Sequence, residues 1–93
     1  MKVIYTAHLE FRLKIREILH DLPRKIFKES REHYYDTHTD HRVALSTVMF
    51  KNKSREMALT YDKIQNEIHL ITVHPVKPYQ KHSRLKSGRW RKI

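Results

Sequence analysis

The spacing of apolar residues changes near Ser30, and no other feature of the chain constrains its fold as strongly. Before this point apolar side chains recur every three or four positions, which predicts an amphipathic helix over Ala7 to His20. The predicted apolar stripe consists of Phe11, Ile15, Ile18 and Leu22. Pro23 ends this helix and opens a shorter second helix through about Ser30, with Ile26 and Phe27 facing inward.

After Ser30 apolar and polar residues alternate, as they do in β-strands. Strands are predicted over Arg42 to Phe50, about Glu56 to Tyr61 and about Glu67 to His74, with polar turns between them. Shorter strands are predicted at Met1 to Tyr5, on a sheet edge, and at His33 to Asp36. The order of elements predicts an α+β fold, with two N-terminal helices packed on a mostly antiparallel sheet of about four strands.

The length of the chain favours a single domain. With 93 residues it can bury one modest core, so residues 1–93 are assigned to one domain. There is no cysteine, which excludes disulfides, a thiolate nucleophile and a zinc-thiolate site. No apolar run approaches the roughly 20 residues that cross a bilayer, and the first residues lack the apolar segment of a signal peptide. We therefore expect a soluble, cytoplasmic protein with no membrane partner.

Positive charge is concentrated at the C-terminal end. The formal net charge is +10, and the segment from Lys77 to Ile93 contains seven Lys or Arg and no acidic residue. Cations interleaved with the rings of Tyr79 and Trp90 suit a phosphate backbone with unstacked bases. We predict a basic C-terminal extension (77–93) that Pro75 and Pro78 release from the sheet. Such an extension either only keeps the protein soluble or binds nucleic acid, and we favour nucleic-acid binding. The predicted nucleic-acid-binding residues are Lys77, Lys81, Arg84, Lys86, Arg89, Trp90 and Arg91.

Two groups of polar residues have the composition of a catalytic site. His8, Arg12 and Arg16 are spaced four residues apart, so they form a row along the first helix. Thr72 and His74 lie two apart near the end of the last strand, so they share one face of the sheet. Cleavage of RNA by its own 2′-hydroxyl needs a base, an acid and a cation, but no metal. The alternative for the helix is a surface row of cations paired with Glu10, Glu17 or Asp21. The alternative for the strand is that His74, like His69, is an ordinary, partly buried residue.

A third group, from His33 to His41, contains three imidazoles and two carboxylates within nine residues. Both kinds of side chain bind divalent metals, but their spacing matches no specific zinc signature. Asp and Thr favour turns, so a polar connection between strands explains the pattern better than a metal site. His41 and Tyr35 remain candidates for contacting RNA.

Taken in order, these motifs resemble the RelE/ParE-like toxins. The segments with this resemblance are His8-x3-Arg12-x3-Arg16-Glu17-Ile18, Tyr34-Tyr35-Asp36, Ala58-Leu59-Thr60-Tyr61-Asp62 and Ile71-Thr72-Val73-His74-Pro75. More broadly the chain is similar to the superfamily of barnase, EndoU nucleases, tRNA-cleaving colicins and RelE toxins, and within it to a branch of unknown function with this histidine and these arginines on its first helix. The resemblance implies two helices on a four-stranded antiparallel sheet, metal-independent ribonuclease activity and an antitoxin partner. The extension after Pro78 has no counterpart in the common pattern.

The sequence therefore predicts a toxin-like, metal-independent endoribonuclease that acts on RNA, free or on the ribosome, and needs no cofactor. In this hypothesis His8 transfers a proton, Arg12 and Arg16 stabilise the charge on phosphorus, and Thr72 or His74 positions the scissile phosphate. Two alternatives stay open: a non-catalytic RNA-binding module, and a ParE-like toxin that acts by binding a protein target. The expected partners are RNA and an acidic antitoxin protein, and a homodimer is left open.

Overall fold

The computed structural model describes all 93 residues as one mixed sheet with helices on both of its faces. The elements are β1 (Lys2–Tyr5), α1 (Ala7–Arg16), α2 (Leu22–Glu29), β2 (Glu32–Asp36), β3 (Arg42–Phe50), β4 (Lys53–Ile64), β5 (Glu67–Pro75), α3 (Pro78–Lys86) and β6 (Trp90–Lys92). The strand order is β1-β5-β4-β3-β2-β6, so β1 and β6 are the edges. β1 pairs with β5 in parallel, and every other neighbouring pair is antiparallel.

The prediction of two helices on a mostly antiparallel sheet of about four strands is wrong. The protein has three helices and six strands, and one of the strand pairs is parallel. The additional helix and one additional strand come from the basic C-terminal segment, which folds back onto the sheet instead of leaving it. The basic extension predicted at 77–93 is therefore an integral part of the domain, with Pro78 opening α3 at a position where no backbone donor is needed.

Both ends of α1 are capped by local hydrogen bonds. The hydroxyl of Thr6 accepts the Leu9 N–H at 3.2 Å, which caps the first turn. Glu17 takes a left-handed conformation (φ 54°), and the Ile18 N–H then donates to the Leu13 carbonyl at 3.0 Å in a Schellman arrangement. The helix predicted to reach His20 therefore stops at Arg16.

The face that α1 buries differs from the predicted one. Leu9 and Leu13 are buried in the main core, whereas Phe11 and Ile15 are 60% and 61% exposed. Both pairs have the same four-residue spacing, so periodicity alone fits either face. Contact with the sheet selects the leucine pair.

The sheet separates two cores. α1 and α2 cover one face, where twelve buried side chains pack together, including Leu9, Ile26, Leu59 and Leu70. The opposite face has a smaller cluster made of Tyr34, Val43, Leu45, Ala58, Val76 and Trp90. Because side chains alternate along each strand, neighbouring residues such as Ala58 and Leu59 belong to different cores. α3 and β6 close this second face.

The β3–β4 hairpin lies where the sequence predicts it. β3 has the predicted bounds, and Lys51 and Asn52 both have positive φ (51° and 64°), as a two-residue hairpin turn requires. None of the three helices combines the length and the apolar character needed to cross a membrane.

Candidate active site between the sheet and the C-terminal helix

A cavity of about 270 Å³ lies on the α3 side of the sheet. Its polar and aromatic lining consists of Asp36, Thr39, His41, Thr60, Thr72, His74, Arg84, Arg89 and Trp90. Two predicted catalytic residues, Thr72 and His74, thus share one cavity with three predicted nucleic-acid-binding residues. The convergence arises because α3 leads the chain from the end of β5 across the sheet to β6, with Lys81 contacting Glu56 on β4 and Glu32 on β2.

A bulge in β5 determines which face Thr72 and His74 occupy. Ile68 and Leu70 face the main core, and strict alternation would place Thr72 and His74 there as well. The pairing with β4 shifts by one residue at Ile71, because Tyr61 pairs with Leu70 while Thr60 pairs with Thr72. The extra residue turns Thr72 and His74 to the cavity.

His74 is a half-buried imidazole held beside cations. Burial lowers the pKa of His74 below its ordinary value, and the nearby charges of Arg16 and Arg84 lower it further. No protein group hydrogen-bonds to its ring, so neither nitrogen is committed to a structural partner. The side chain is therefore a neutral imidazole at neutral pH, able to accept a proton from a ligand.

A second imidazole in the cavity is oriented by a carboxylate. His41 Nδ1 lies 2.6 Å from Asp62 Oδ1. A carboxylate only accepts hydrogen bonds, so Nδ1 carries the hydrogen and Nε2 is left for exchange with a ligand. The predicted polar connection includes His41, but nothing in its spacing identifies the pairing with Asp62. The hairpin register does so, because the two residues are equally far from the turn at Lys51 and Asn52.

Arg84 supplies the least compensated charge of the cavity. It has no acidic partner, and its guanidinium carbon lies 5.3 Å from the centroid of the Trp90 ring. Arg16 approaches from the main-core side of the sheet: its Nη1 donates to the Val73 carbonyl at 3.0 Å. That carbonyl is available because β1 pairs with β5 only as far as Leu70. Both guanidinium groups thus flank His74, from opposite sides of the strand.

Arg89 lines the same cavity but is neutralised by Asp36. Its Nε lies 3.1 Å from Oδ1 and its Nη2 lies 3.2 Å from Oδ2 of that carboxylate. Burial alone would raise the pKa of Asp36, but hydrogen bonds from Arg89, from the His38 N–H and from Trp90 Nε1 lower it overall. The charge of Arg89 is therefore mainly used to hold Asp36.

Two further predicted RNA contacts have structural partners. Trp90 is 4% exposed and stacks on Tyr34 with ring centroids 5.7 Å apart, so it is not a free platform for bases. Lys81 Nζ lies 3.0 Å from Glu32 and 3.4 Å from Glu56. Burial alone would lower the pKa of Lys81, but these two carboxylates raise it overall. Lys77, Lys86 and Arg91 remain exposed.

The row predicted on the first helix is divided by the sheet. His8 is exposed on α1, on the face opposite to the cavity, and Arg12 is half-buried on the same helix. Neither residue lines the cavity with Thr72 and His74. Only Arg16, at the last turn of α1, reaches β5.

The segment from His33 to His41 forms β2 and a turn. His33 Nδ1 pairs with the Tyr61 hydroxyl at 2.8 Å, and the Tyr35 hydroxyl donates to Asp40 at 2.6 Å. His33 and His41 thus have different partners, and no three His, Asp or Glu side chains in the protein are grouped in a way that could hold a metal ion.

Comparison with known proteins finds no matching family model, no matching curated protein and no matching solved structure. The resemblance to RelE/ParE-like toxins therefore stays a prediction from the sequence motifs. The functional interpretation depends on the geometry of the cavity.

Proposed function

We propose that this protein is a toxin-like, metal-independent endoribonuclease whose active centre is the cavity between β5 and α3. The observation that carries the proposal is the meeting of two imidazoles and an unpaired guanidinium in one cavity. These are His74, made neutral by burial, His41, oriented by Asp62, and Arg84. The sequence hypothesis placed proton transfer at His8, and the proposal moves it to these two residues.

The groups have complementary roles in cleavage through the 2′-hydroxyl. His74 accepts the proton of the 2′-hydroxyl, and the 2′-oxygen attacks the adjacent phosphorus. The bond between phosphorus and the 5′-oxygen breaks, and the His41 imidazolium, held by Asp62, gives that oxygen a proton through Nε2. The products are a 2′,3′-cyclic phosphate and a 5′-hydroxyl. Each proton transfer of this type contributes about 10²- to 10⁴-fold in rate.

The remaining groups hold the phosphate. Arg84 compensates the negative charge that develops on the phosphorus oxygens, and Arg16 adds positive potential from the other side of β5. The Thr72 hydroxyl, which lines the cavity with His74, donates to a non-bridging oxygen of the phosphate. DNA lacks the nucleophile, so the same site binds DNA without cutting it.

The proposal includes the cellular context that the sequence resemblance implies. The protein acts in the cytoplasm, on RNA that is free or bound to the ribosome, and an acidic antitoxin holds it inactive. The net charge of +10 favours both a polyanionic substrate and an acidic partner. Alignment of RNA on the ribosome is a source of rate that the free protein lacks.

Protein binding is a second candidate function, because α1 exposes an apolar pair. Phe11 and Ile15 lie one turn apart with more than half of each side chain in solvent, and Lys14 is exposed between them. An acidic amphipathic segment of a protein target fits this combination of apolar surface and positive charge. Loss of toxicity in Phe11→Ser with ribonuclease activity intact assigns the toxic effect to this surface.

The test of the ribonuclease proposal is cleavage of end-labelled single-stranded RNA and of ribosome-bound RNA by purified protein. His74→Gln and His41→Gln are each expected to reduce the cleavage rate by about 10²- to 10⁴-fold. His8→Gln is the matched control, since it removes an imidazole outside the cavity and is expected to cleave normally. Cleavage should persist when EDTA removes divalent metals, and the products should have 2′,3′-cyclic phosphate ends. Unchanged cleavage by His74→Gln, or loss of cleavage in His8→Gln alone, contradicts the proposed centre.

A further inference from the structure

A second cavity adjoins the proposed active centre. It measures about 280 Å³, and Arg84 and Arg89 line both cavities. On its other sides are Tyr79 and Ser83 from α3 and His38 from the turn after β2. The two arginines thus stand between two neighbouring spaces, as they would between two nucleotides joined by one phosphate.

We propose that this second cavity is a nucleotide subsite for single-stranded RNA, which takes the base adjacent to the scissile phosphate and stacks it on Tyr79. The inference rests on the proposed function, because it extends the same RNA site by one nucleotide. It also names the substrate class: a base can reach Tyr79 only when it is not paired or stacked within a duplex.

Tyr79 has the properties of a stacking platform. Its side chain is 64% exposed in the first turn of α3, and it belongs to neither core. The Lys77 ammonium lies 5.9 Å from the centroid of its ring. An exposed ring flanked by a cation serves no packing purpose here, whereas base stacking on a ring is sequence-tolerant and favourable.

The polar lining matches an uncharged base beside a phosphate. No carboxylate lines this cavity. Gln80 Oε1 already accepts the Lys77 N–H at 3.1 Å, so the amide nitrogen is the end of this side chain left to donate. Ser83 has no protein partner for its hydroxyl. These donors suit the oxygen and nitrogen acceptors on the edge of a base.

The size of the cavity limits its occupant. Cavities for small molecules range from about 300 to 1,000 Å³, so this one is just below that range and suits a single ring system. The phosphate linking that base to the next nucleotide then falls at Arg84, which has no acidic partner. The subsite therefore orders the chain: base at Tyr79, phosphate at Arg84, reacting groups at His74.

The experiment measures binding of a labelled, non-cleavable 2′-O-methyl tetranucleotide by anisotropy, with and without an abasic residue at each position. Tyr79→Ala is expected to weaken binding about 5- to 150-fold, the range for loss of one stacked base. Tyr79→Phe, which keeps the ring, should bind normally. Phe11→Ala is the matched control, because it removes an equally exposed ring on the opposite face of the sheet.

The decisive readout is coupling between protein and ligand. An abasic residue at one position of the tetranucleotide should weaken its binding to the wild-type protein by the same factor as Tyr79→Ala weakens binding of the intact tetranucleotide. The same abasic residue should not weaken binding to the Tyr79→Ala variant any further. Equal loss at all positions, or no loss in Tyr79→Ala, overturns the subsite even when the protein cleaves RNA. Coupled loss in a protein that cleaves no RNA leaves the subsite standing and removes the proposed reaction. Where cleavage occurs, Tyr79→Ala should raise KM and leave kcat unchanged.

Discussion

Truncation of Trp90 should strongly destabilise the protein. The indole is 4% exposed, stacks on Tyr34 and donates through Nε1 to Asp36 at 3.3 Å. Replacing a buried Trp by Ala costs about 3–5 kcal/mol, because the transfer free energy is lost and a cavity remains. A domain of this kind has a total stability of about 5–15 kcal/mol, so Trp90→Ala removes a large part of it. The expected fall in Tm is about 12 °C or more.

The assays are thermal unfolding and urea unfolding, both followed by far-UV circular dichroism, since Trp90 is the only tryptophan and fluorescence would lose its probe. Trp90→Phe keeps a ring against Tyr34 and loses the hydrogen bond, so it should cost only about 1–2 kcal/mol. Tyr79→Ala is the control from the same segment, expected within about 0.5 kcal/mol of wild type because its ring is exposed. A Trp90→Ala protein with wild-type stability would show that the segment from α3 to β6 is a loose tail.

Three further perturbations test other parts of the structure. Arg89→Met should lower the free energy of unfolding by about 3 kcal/mol at neutral pH, because it leaves the buried Asp36 carboxylate short of a partner. At acidic pH the Asp36 carboxyl, whose pKa is lowered in the folded protein, becomes protonated, so the urea midpoints of variant and wild type should converge. The lowered pKa of His74 means that the unfolded state binds its proton more tightly, so wild-type unfolding free energy falls as the pH drops below about 6.5. His74→Gln should therefore lose less stability between about pH 7.5 and about pH 5, and identical pH profiles refute this assignment. Lys81→Met should lower the free energy of unfolding, measured by thermal unfolding, by about 1–2 kcal/mol, because two carboxylates lose their shared cation. Lys86 is exposed, so Lys86→Met should change it by less than about 0.5 kcal/mol. Equal effects of the two substitutions would argue against the ion pairs.

The parts of the fold that follow local rules were predictable. Alternation from Arg42 to Phe50 and the polar turn after it gave the bounds of β3 and the position of the hairpin, although β4 begins at Lys53, inside the predicted turn. Spacing by two placed Thr72 and His74 on one face of β5, as observed. Each of these features depends on residues within a few positions of one another, so the printed order of residues contains the needed information.

The end of α1 and its buried face were not predictable in the same way. Helices that end in a left-handed residue usually place Gly there, but Glu17 occupies the position in this chain. The leucine pair and the Phe11 and Ile15 pair have equal spacing, so the choice between them depends on which side meets the sheet. That choice is made by packing and is invisible to periodicity.

The candidate site was predictable only in part. Arg16, Thr72, His74, Arg84 and Arg89 were identified from residue type and charge. The structure places four of them in one cavity, and Arg16 contacts β5 beside it. His8 and Arg12 have the chemistry of a site but lie on the other side of the sheet. His41 has an orienting partner only because the hairpin register pairs it with Asp62, far away in the sequence.

By itself the sequence determined the alternating strands, the helical segments and the excess of positive charge, because these are properties of neighbouring residues. The tertiary structure decided that the cationic segment forms α3 and β6, since Asp36, Glu32 and Glu56 hold it from distant positions. It also decided that a single extra residue at Ile71 turns Thr72 and His74 toward that segment. Which face a side chain occupies depends on register and packing between elements far apart in the chain, and composition and spacing do not encode that choice locally.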